Sequence, residues 1–113
     1  MSERDPALRL QDMAEACRII TALVDGLVYE QFAEDRRTQH AIAFNIMVIG
    51  EAAKNVSPEI LRDYPEVSWR EAMRMRDRIA HGYYGLLPEV LWQTAIEDCP
   101  QLAAALAARG ITA

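Results

Sequence analysis

Apolar residues recur at spacings of three and four along almost the whole chain, a pattern typical of amphipathic helices packed on a shared core. The first such stripe follows Asp5, a good capping residue, and Pro6, a good first helical residue, and it predicts a helix ending near Gly26. No segment alternates apolar and polar positions for long enough to predict a strand. The stripe consists of Leu10, Met13, Cys17, Ile20, Val24 and Leu27.

A second long helix is predicted from about Arg36 to Asn55. Its middle, residues 41–50 (AIAFNIMVIG), carries no charge and is apolar on nearly every side. A helix without a polar face needs covering on most sides, and a chain of 113 residues offers few other elements to cover it. We therefore expect part of this helix to be buried against a second copy of the protein. A central helix within a monomer is the alternative.

Two shorter helices are predicted between residues 57 and 82. The triplet 57–59 (SPE) opens a helical turn. Residues 68–71 (SWRE) match a capping box, in which the serine and glutamate side chains satisfy the first free amides of a helix. This helix is expected to run to about His81 and to be closed by Gly82 in the left-handed conformation.

The last part of the chain predicts one or two further helices. Pro88 is a favourable start for the first of them, and Pro100 either kinks this helix or starts a final one that ends at Gly110. Together the elements predict a single all-α domain over residues 1–113. We expect an antiparallel helical bundle of about four to six helices.

Composition narrows the class of function. The chain has 12 basic and 17 acidic residues, and its formal net charge of -5 is the wrong sign for binding nucleic acid through bulk electrostatics. Cys17 and Cys99 belong to no metal-binding motif, so we expect two buried thiols, no metal site and no cofactor. The sequence shows neither a secretory leader nor an apolar stretch near the ~20 residues of a membrane span, which predicts a cytoplasmic protein without membrane contact.

Basic residues are nevertheless concentrated in residues 69–85 (WREAMRMRDRIAHGYYG). At about 100° per residue, three of the arginines share an arc of about 80° with His81 on one side of the predicted helix. Such a stripe is either a solvated face or a strip that steers phosphates towards a site. The three are Arg70, Arg74 and Arg78.

Arg76 projects from a different side of this helix, among apolar residues that face the packed interior. A guanidinium cannot lose its charge, so it needs a carboxylate, a phosphate or a solvated crevice as its partner. A structural ion pair with an acid such as Glu51 or Asp98 is one interpretation. A phosphate site is the other.

His81 follows Arg76 at the end of the same helix. A histidine accepts and donates protons near neutral pH, so it can act as general base or acid on a ribose hydroxyl or a leaving oxygen. A helix-end cap is the alternative. On a regular helix Arg76 and His81 project about 140° apart. One protomer therefore aims both at one phosphate only if the helix loosens at Gly82, whereas a two-fold cleft would pool both copies.

The spacing Arg-x4-His-x-Tyr, formed by Arg76, His81 and Tyr83, resembles the signature of the HepT-like branch of the HEPN superfamily. Members of this branch are toxins encoded beside a minimal nucleotidyltransferase antitoxin. The resemblance covers the chain from about Leu10 to Leu106. Its further segments are residues 35–39 (DRRTQ), 45–46 (NI) and 49–53 (IGEAA) in the central helix, 69–70 (WR) and 75–78 (MRDR) before the motif, and Trp92 with 97–100 (EDCP) in the closing helices.

The resemblance implies a homodimer in which two copies of the motif face each other across a cleft that binds RNA. It implies that His81 activates a ribose 2′-hydroxyl or protonates the leaving group, while Arg76 stabilises charge on the phosphate, giving metal-independent cleavage with a cyclic phosphate end. Asp77 matches the polar residue that commonly follows the motif arginine, which implies that it orients Arg76 or His81. Tyr83 corresponds to the tyrosine to which the antitoxin transfers adenylate from ATP, adding bulk and negative charge that would block RNA.

Two other classes of function stay open at this stage. A catalytically inactive helical dimer would serve only as a protein- or nucleotide-binding partner of its nucleotidyltransferase. An interaction module unrelated to RNA would show no change in any phenotype when His81 is replaced.

Overall fold

The computed structural model describes residues 4–82 and 87–113, and within these ranges the chain forms only helices and connecting loops. The predicted all-α class is therefore confirmed. The helices are α1 (Pro6–Val24), α2 (Tyr29–Ala33), α3 (Arg36–Lys54), α4 (Pro58–Leu61), α5 (Trp69–Gly82), α6 (Pro88–Gln93) and α7 (Cys99–Ala107), with a π-helical turn, Thr94–Asp98, between α6 and α7.

Side-chain caps start the two long helices where the sequence predicts. The carboxylate of Asp5 accepts a hydrogen bond from the backbone N–H of Ala7 at 2.8 Å, and Pro6 is the first residue of α1. Asp35 accepts from the backbone N–H of Thr38 at 3.0 Å and starts α3. Each cap satisfies a backbone N–H group that has no partner within the helix, which contributes about 1 kcal/mol.

Helix α3 lies at the centre, with α1 and α5 packed against it, while α7 packs on α1. The buried apolar side chains form one cluster across these helices, as expected for a single bundle. Its largest fully buried members include Met13, Ile20, Phe32, Ile42 and Leu91.

The short helix α2 is an element that the sequence pattern did not predict. It has five residues, too few to show a helical period, and such a helix is stabilised by packing rather than by its own propensity. Its Phe32 is fully buried, with the ring centroid 5.1 Å from that of Trp92 in α6. The Tyr29 hydroxyl donates to Glu89 at 3.1 Å, so α2 clamps the start of α6.

The prediction that Gly82 closes α5 in the left-handed conformation is wrong. Gly82 is part of α5 and its φ is not positive, because glycine permits the left-handed conformation without requiring it. Among the described residues, the positive φ values belong to Gly26, at 79°, and Gly110, at 84°, which follow α1 and α7 as predicted. Helix α5 therefore stays regular through Gly82.

Pro100 lies in the first turn of the final helix, α7, which agrees with one of the two predicted alternatives. Residues 88–107 are helical without interruption, and Pro100 is the second residue of α7. Proline has no N–H to continue the α-helical ladder. The preceding π turn accommodates this, with the backbone N–H of Cys99 bonded to the carbonyl of Thr94.

Cys17 and Cys99 are free and buried, as the sequence predicts. The neighbouring Cys17 thiol, followed by burial, strongly raises the pKa of the Cys99 thiol. Within the described part of the chain, no helix combines the length and the apolar character that crossing a membrane requires.

The charge-free stretch of α3 is buried on its inner face and only partly covered on its outer face. Phe44 remains 64% exposed, and Val48, one helical turn further on, is half-buried. A single copy of the protein thus leaves an apolar strip on the outer face of α3 open. The inner face is buried through Ile42, Ala43, Asn45, Ile46, Ile49 and Gly50.

Helices α3 and α5 cross at Gly50. A Cβ atom added to this glycine would lie 2.3 Å from Cβ of Arg76 and 2.7 Å from the carbonyl oxygen of Ala72. No residue larger than glycine fits without moving α5 away from α3. The crossing therefore sets the depth of α5 and places Arg76 beside Glu51, the residue after Gly50.

We expect Gly50→Ala to lower the free energy of unfolding by about 2 to 3 kcal/mol, because the added methyl group forces the two helices apart. Urea denaturation measures this. Gly82→Ala is the matched control, since no described residue lies within 4 Å of its added Cβ. That change should stabilise the protein by up to about 1 kcal/mol, because alanine is the better helix former. Equal stability of Gly50→Ala and the parent would show that the close crossing does not exist.

Candidate functional site

Helix α5 carries nearly all of the predicted site residues. Tyr83 lies outside the described residues. The others are Arg70, Arg74, Arg76, Asp77, Arg78 and His81.

Arg76 faces α3, as its position on the helix predicts, and its side chain is 25% exposed. Its Nε lies 3.1 Å from Oε1 of Glu51 but makes no hydrogen bond, and the atom is shielded from solvent. Its Nη1 donates to Oδ1 of Asp77 at 3.3 Å. Of the two acids considered as partners, Glu51 is the one that pairs with Arg76, and Asp98 is not among its ion pairs.

Asp77 accepts two cationic donors on a single oxygen. Lys54 Nζ and Arg76 Nη1 both donate to Oδ1. The hydrogen bond from Lys54 has the largest effect on Asp77 and holds its pKa below the usual value. Burial opposes this shift, while the positive charge of Lys54 and the contact with Arg76 add smaller lowering effects. The carboxylate is therefore ionised at neutral pH.

The C-terminal end of α3 supplies the remaining groups of this cluster. Glu51 and Lys54 lie about one turn apart on α3, and Asn55 Nδ2 donates to the backbone carbonyl of Glu51 at 2.8 Å and to its Oε2 at 3.3 Å. Two carboxylates thus alternate with two cations, in the order Glu51, Arg76, Asp77, Lys54. We call these four side chains the charge cluster.

Sequence reasoning missed Lys54. One signal in the sequence marks it: Lys54 is the only lysine among the 113 residues. It also lies three residues after Glu51, which was already a candidate partner of Arg76. Nothing in the sequence, however, shows that the end of α3 meets the middle of α5.

His81 is exposed near the end of α5, with Nδ1 3.0 Å from the backbone carbonyl oxygen of Asp77. A carbonyl oxygen only accepts, so Nδ1 carries the hydrogen and Nε2 is the basic nitrogen of the neutral ring. Within residues 4–82 and 87–113, Nε2 has no hydrogen-bond partner. Asp77 thus contacts both motif residues, Arg76 through its carboxylate and His81 through its backbone.

The three flanking arginines are all exposed. Arg74 pairs with Glu71, its Nη1 lying 3.2 Å from Oε2. Arg70 and Arg78 form no ion pair with any residue the structure describes. This arrangement agrees with a solvated face and equally leaves two cations available to a ligand.

A cleft of about 350 Å³ opens on the other side of α5, between that helix and the continuous helix of α6, the π turn and α7. Ile46 and Ile49 form its floor, and Met75 and Arg78 are part of its α5 wall. The charge cluster and His81 do not line it. The cleft is therefore separate from the motif.

The motif carries an acid–base group and a shielded cation on the same helix. His81 offers a nitrogen that can take up or give a proton, and Arg76 offers a positive charge held in place at a helix crossing. In the described ranges, no three His, Cys, Asp or Glu side chains are arranged to hold a metal ion.

The ionised carboxylate of Asp77 should stabilise the fold in a pH-dependent way. Because its pKa is lowered in the folded state, its contribution is complete above the ordinary value of about 3.9 and is lost as the pH falls through the folded-state value. Asp77→Asn is thus expected to be less stable than the parent at neutral pH, with a difference that shrinks towards about pH 3.

Urea unfolding of both proteins at about pH 7, 5 and 3 measures this difference. Glu59→Gln is the control, since Glu59 is exposed and has no ion pair with the described residues, and it should match the parent throughout. A constant difference for Asp77→Asn at all three pH values would contradict the ion pairs at this carboxylate.

Comparison with known proteins gives a consistent family. Residues 13–108 match the family described as Ribonuclease HepT-like. "Probable ribonuclease HepT" of Thermococcus cleftensis is 42% identical over 93 residues, which cover 82% of this chain and 84% of that protein. A protein of Methanocaldococcus jannaschii with RNase in its name is 32% identical over 100 residues, covering 88% of this chain and 83% of its own length. No solved structure gives a significant match. The chain belongs to the HepT-like ribonuclease family.

Proposed function

We propose that the protein is a metal-independent endoribonuclease and the toxin of a HepT-type toxin–antitoxin pair, neutralised by a minimal nucleotidyltransferase. The observation that carries the proposal is that Asp77 contacts both motif residues, Arg76 through its carboxylate and His81 through its backbone carbonyl. The names of the relatives, which include "Probable ribonuclease HepT", support the same activity.

In the proposed reaction, Nε2 of His81 takes a proton from a ribose 2′-hydroxyl, and the resulting oxygen attacks the adjacent phosphorus. The bond from phosphorus to the 5′-oxygen of the next nucleotide then breaks, and a cyclic phosphate remains. The departing 5′-oxygen receives a proton from the imidazolium of a His81 side chain. Arg76 stabilises the negative charge that grows on the phosphate in the transition state. Arg70, Arg74 and Arg78 steer the RNA strand towards the site.

The proposed active form is a homodimer with a composite site. Helix α5 stays regular through Gly82, so Arg76 and His81 of one protomer project about 140° apart and do not readily reach the same phosphate. Phe44, Val48 and Glu51 follow one another at spacings of four and three on the outer face of α3. A two-fold contact through this apolar strip would bring the partner subunit close to the Glu51–Arg76 pair and cover Phe44.

The proposed control of the toxin acts at Tyr83, two residues after His81. An adenylate transferred to its hydroxyl by the antitoxin would place bulk and negative charge next to the RNA site. RNA phosphates would then be repelled.

One observation favours a second candidate, a non-catalytic dimer that only binds its nucleotidyltransferase. Arg76 already lies beside two carboxylates, those of Glu51 and Asp77. A structural arginine would have such partners. The two candidates differ in whether replacement of His81 or Arg76 changes RNA cleavage without changing the fold.

Incubating the protein with transfer RNA in EDTA tests the activity. We expect cleavage by the parent, a loss of about 10²- to 10⁴-fold for His81→Ala and about 10²- to 10³-fold for Arg76→Ala. Arg62→Ala is the matched arginine control, because Arg62 is exposed and lies outside the charge cluster, and it should cleave like the parent. All variants are first checked for folding and oligomeric state.

Mass spectrometry of the peptide containing Tyr83 completes this experiment. An inactive parent with an adenylate-sized addition would be a silenced toxin, and its activity should return when the modification is removed. An unmodified parent that leaves a range of RNAs intact would overturn the ribonuclease proposal and favour the non-catalytic dimer.

Replacing Phe44 by glutamate tests the dimer. Burying an unpaired carboxylate in an apolar contact costs about 2 kcal/mol or more, so the dimer dissociation constant should rise at least about 30-fold. Analytical ultracentrifugation measures it. Leu8→Glu is the matched control, since Leu8 is 43% exposed on α1 and lies away from the strip. A Phe44→Glu protein that dimerises like Leu8→Glu would place the dimer contact elsewhere or exclude a dimer.

A further inference from the structure

Two cations converge on one oxygen atom in the charge cluster. Lys54 comes from α3 and Arg76 from α5, and both donate to Oδ1 of Asp77. The other carboxylate oxygen, Oδ2, has no hydrogen bond to the residues that the structure describes. Asp77 therefore presents a single negatively charged oxygen between two positively charged groups.

We propose that Lys54 and Arg76 together form a binding site for one RNA phosphate, and that the Asp77 carboxylate occupies this site until RNA displaces it. The inference rests on the proposed ribonuclease function and deepens it. It adds Lys54 as a phosphate-binding residue and makes Asp77 a competitor of the substrate as well as a positioning residue.

In the proposed exchange, a phosphate oxygen replaces the carboxylate oxygen as the acceptor of the same hydrogen bonds. A non-bridging phosphate oxygen carries negative charge and accepts hydrogen bonds from ammonium and guanidinium groups as a carboxylate oxygen does. The Asp77 side chain is 48% exposed, so its carboxylate can rotate into water when it leaves. The cost of exchanging one anion for another between the same donors is small.

Unused donors allow the site to hold more than one phosphate oxygen. Arg76 Nη2 makes no hydrogen bond within the described ranges, and an ammonium group has three N–H donors, of which Lys54 uses one on Asp77. Glu51 lies 3.1 Å from Arg76 Nε and takes no part in the proposed exchange. The guanidinium is thus still held in place after Asp77 has moved away.

The charges explain why Asp77 would act as a filter. With Asp77 in place, the four side chains of the charge cluster sum to zero, whereas they carry a net charge of +1 once Asp77 has withdrawn. A single small anion gains little by replacing a carboxylate already tied to the chain. An RNA strand makes several phosphate contacts at once and can offset the displacement.

The test compares the parent with Asp77→Asn, Lys54→Met and Lys54→Arg. Two probes are used: inorganic phosphate, and a short single-stranded RNA with 2′-O-methyl riboses that cannot be cleaved. We expect Asp77→Asn to bind both probes about 3- to 10-fold more tightly than the parent, although it is the less stable protein. Lys54→Met should bind RNA more weakly, and its plot of log K against log salt should lose about 0.7 of slope, the value of one phosphate contact on a single strand.

Lys54→Arg keeps the positive charge and should keep the slope. A role of Lys54 and Asp77 in the fold alone would weaken binding in both Asp77→Asn and Lys54→Met. Asp77→Asn binding no more tightly than the parent, or Lys54→Met keeping the full salt slope, would overturn the inference. Asp77→Ser serves as a second variant, so a poorly folded Asp77→Asn does not leave the question open.

A spectroscopic readout follows from Lys54 being the only lysine. Selective ¹³C labelling of lysine leaves all three N–H donors in place, and the single labelled Cε signal in NMR belongs to Lys54. Inorganic phosphate should shift this signal more in Asp77→Asn than in the parent, and equal responses would contradict displacement. Tighter phosphate binding by Asp77→Asn than by the parent, without RNA cleavage by the parent, would contradict the proposed function alone. RNA cleavage by the parent without tighter phosphate binding by Asp77→Asn would contradict the inference alone.

Discussion

The close crossing of α3 and α5 is the contact on which both the fold and the candidate site depend. Because Gly50 has no side chain, the backbone of α3 approaches Cβ of Arg76 and the carbonyl of Ala72. The same approach brings the last turn of α3 to the middle of α5, where its acid, Glu51, and its lysine, Lys54, meet Arg76 and Asp77. The helix packing and the ion pairs therefore depend on the same crossing, and a change in the helix separation there would also change the ion pairs.

The proposed phosphate site would allow an acidic protein to bind an anionic ligand. The net charge of -5 argues against binding through the whole surface. Within the cluster, however, the four charges cancel, and His81 lies on the same helix as Arg70 and Arg78, which pair with no acid among the described residues. An anionic ligand would therefore be attracted by these side chains at short range and not by the charge of the whole protein. Such a site should favour a ligand that makes several contacts over a free ion.

Much of the fold follows from the sequence, since caps and helical periods are local signals. Asp5, Asp35 and Ser57 start helices where they are expected to, and Arg76 faces inward as its position requires. The misses have physical reasons as well. Helix α2 is too short to have a period and depends on Phe32 meeting Trp92, which lies far along the chain. The ion pair of Lys54 with Asp77 likewise depends on two helices that meet only in the folded protein. The conformation of Gly82 was not predictable because glycine adopts both helical and left-handed conformations. The sequence pattern is thus enough to identify the motif, whereas the contacts of Arg76 and Asp77 with α3 are known only from the folded structure.

The π turn between α6 and α7 has a consequence for the register of the last helix. Leu91, Ala95 and Cys99 are all buried and follow one another at spacings of four. On a regular α-helix two such spacings drift by about 80° around the axis, which would carry the third residue towards solvent. The wider turn at Thr94–Asp98 takes up this drift. One continuous helix can therefore contact the aromatic side chains of α2 at one end and α1 at the other. Its buried residues stay on one face because the helix widens locally, without a loop.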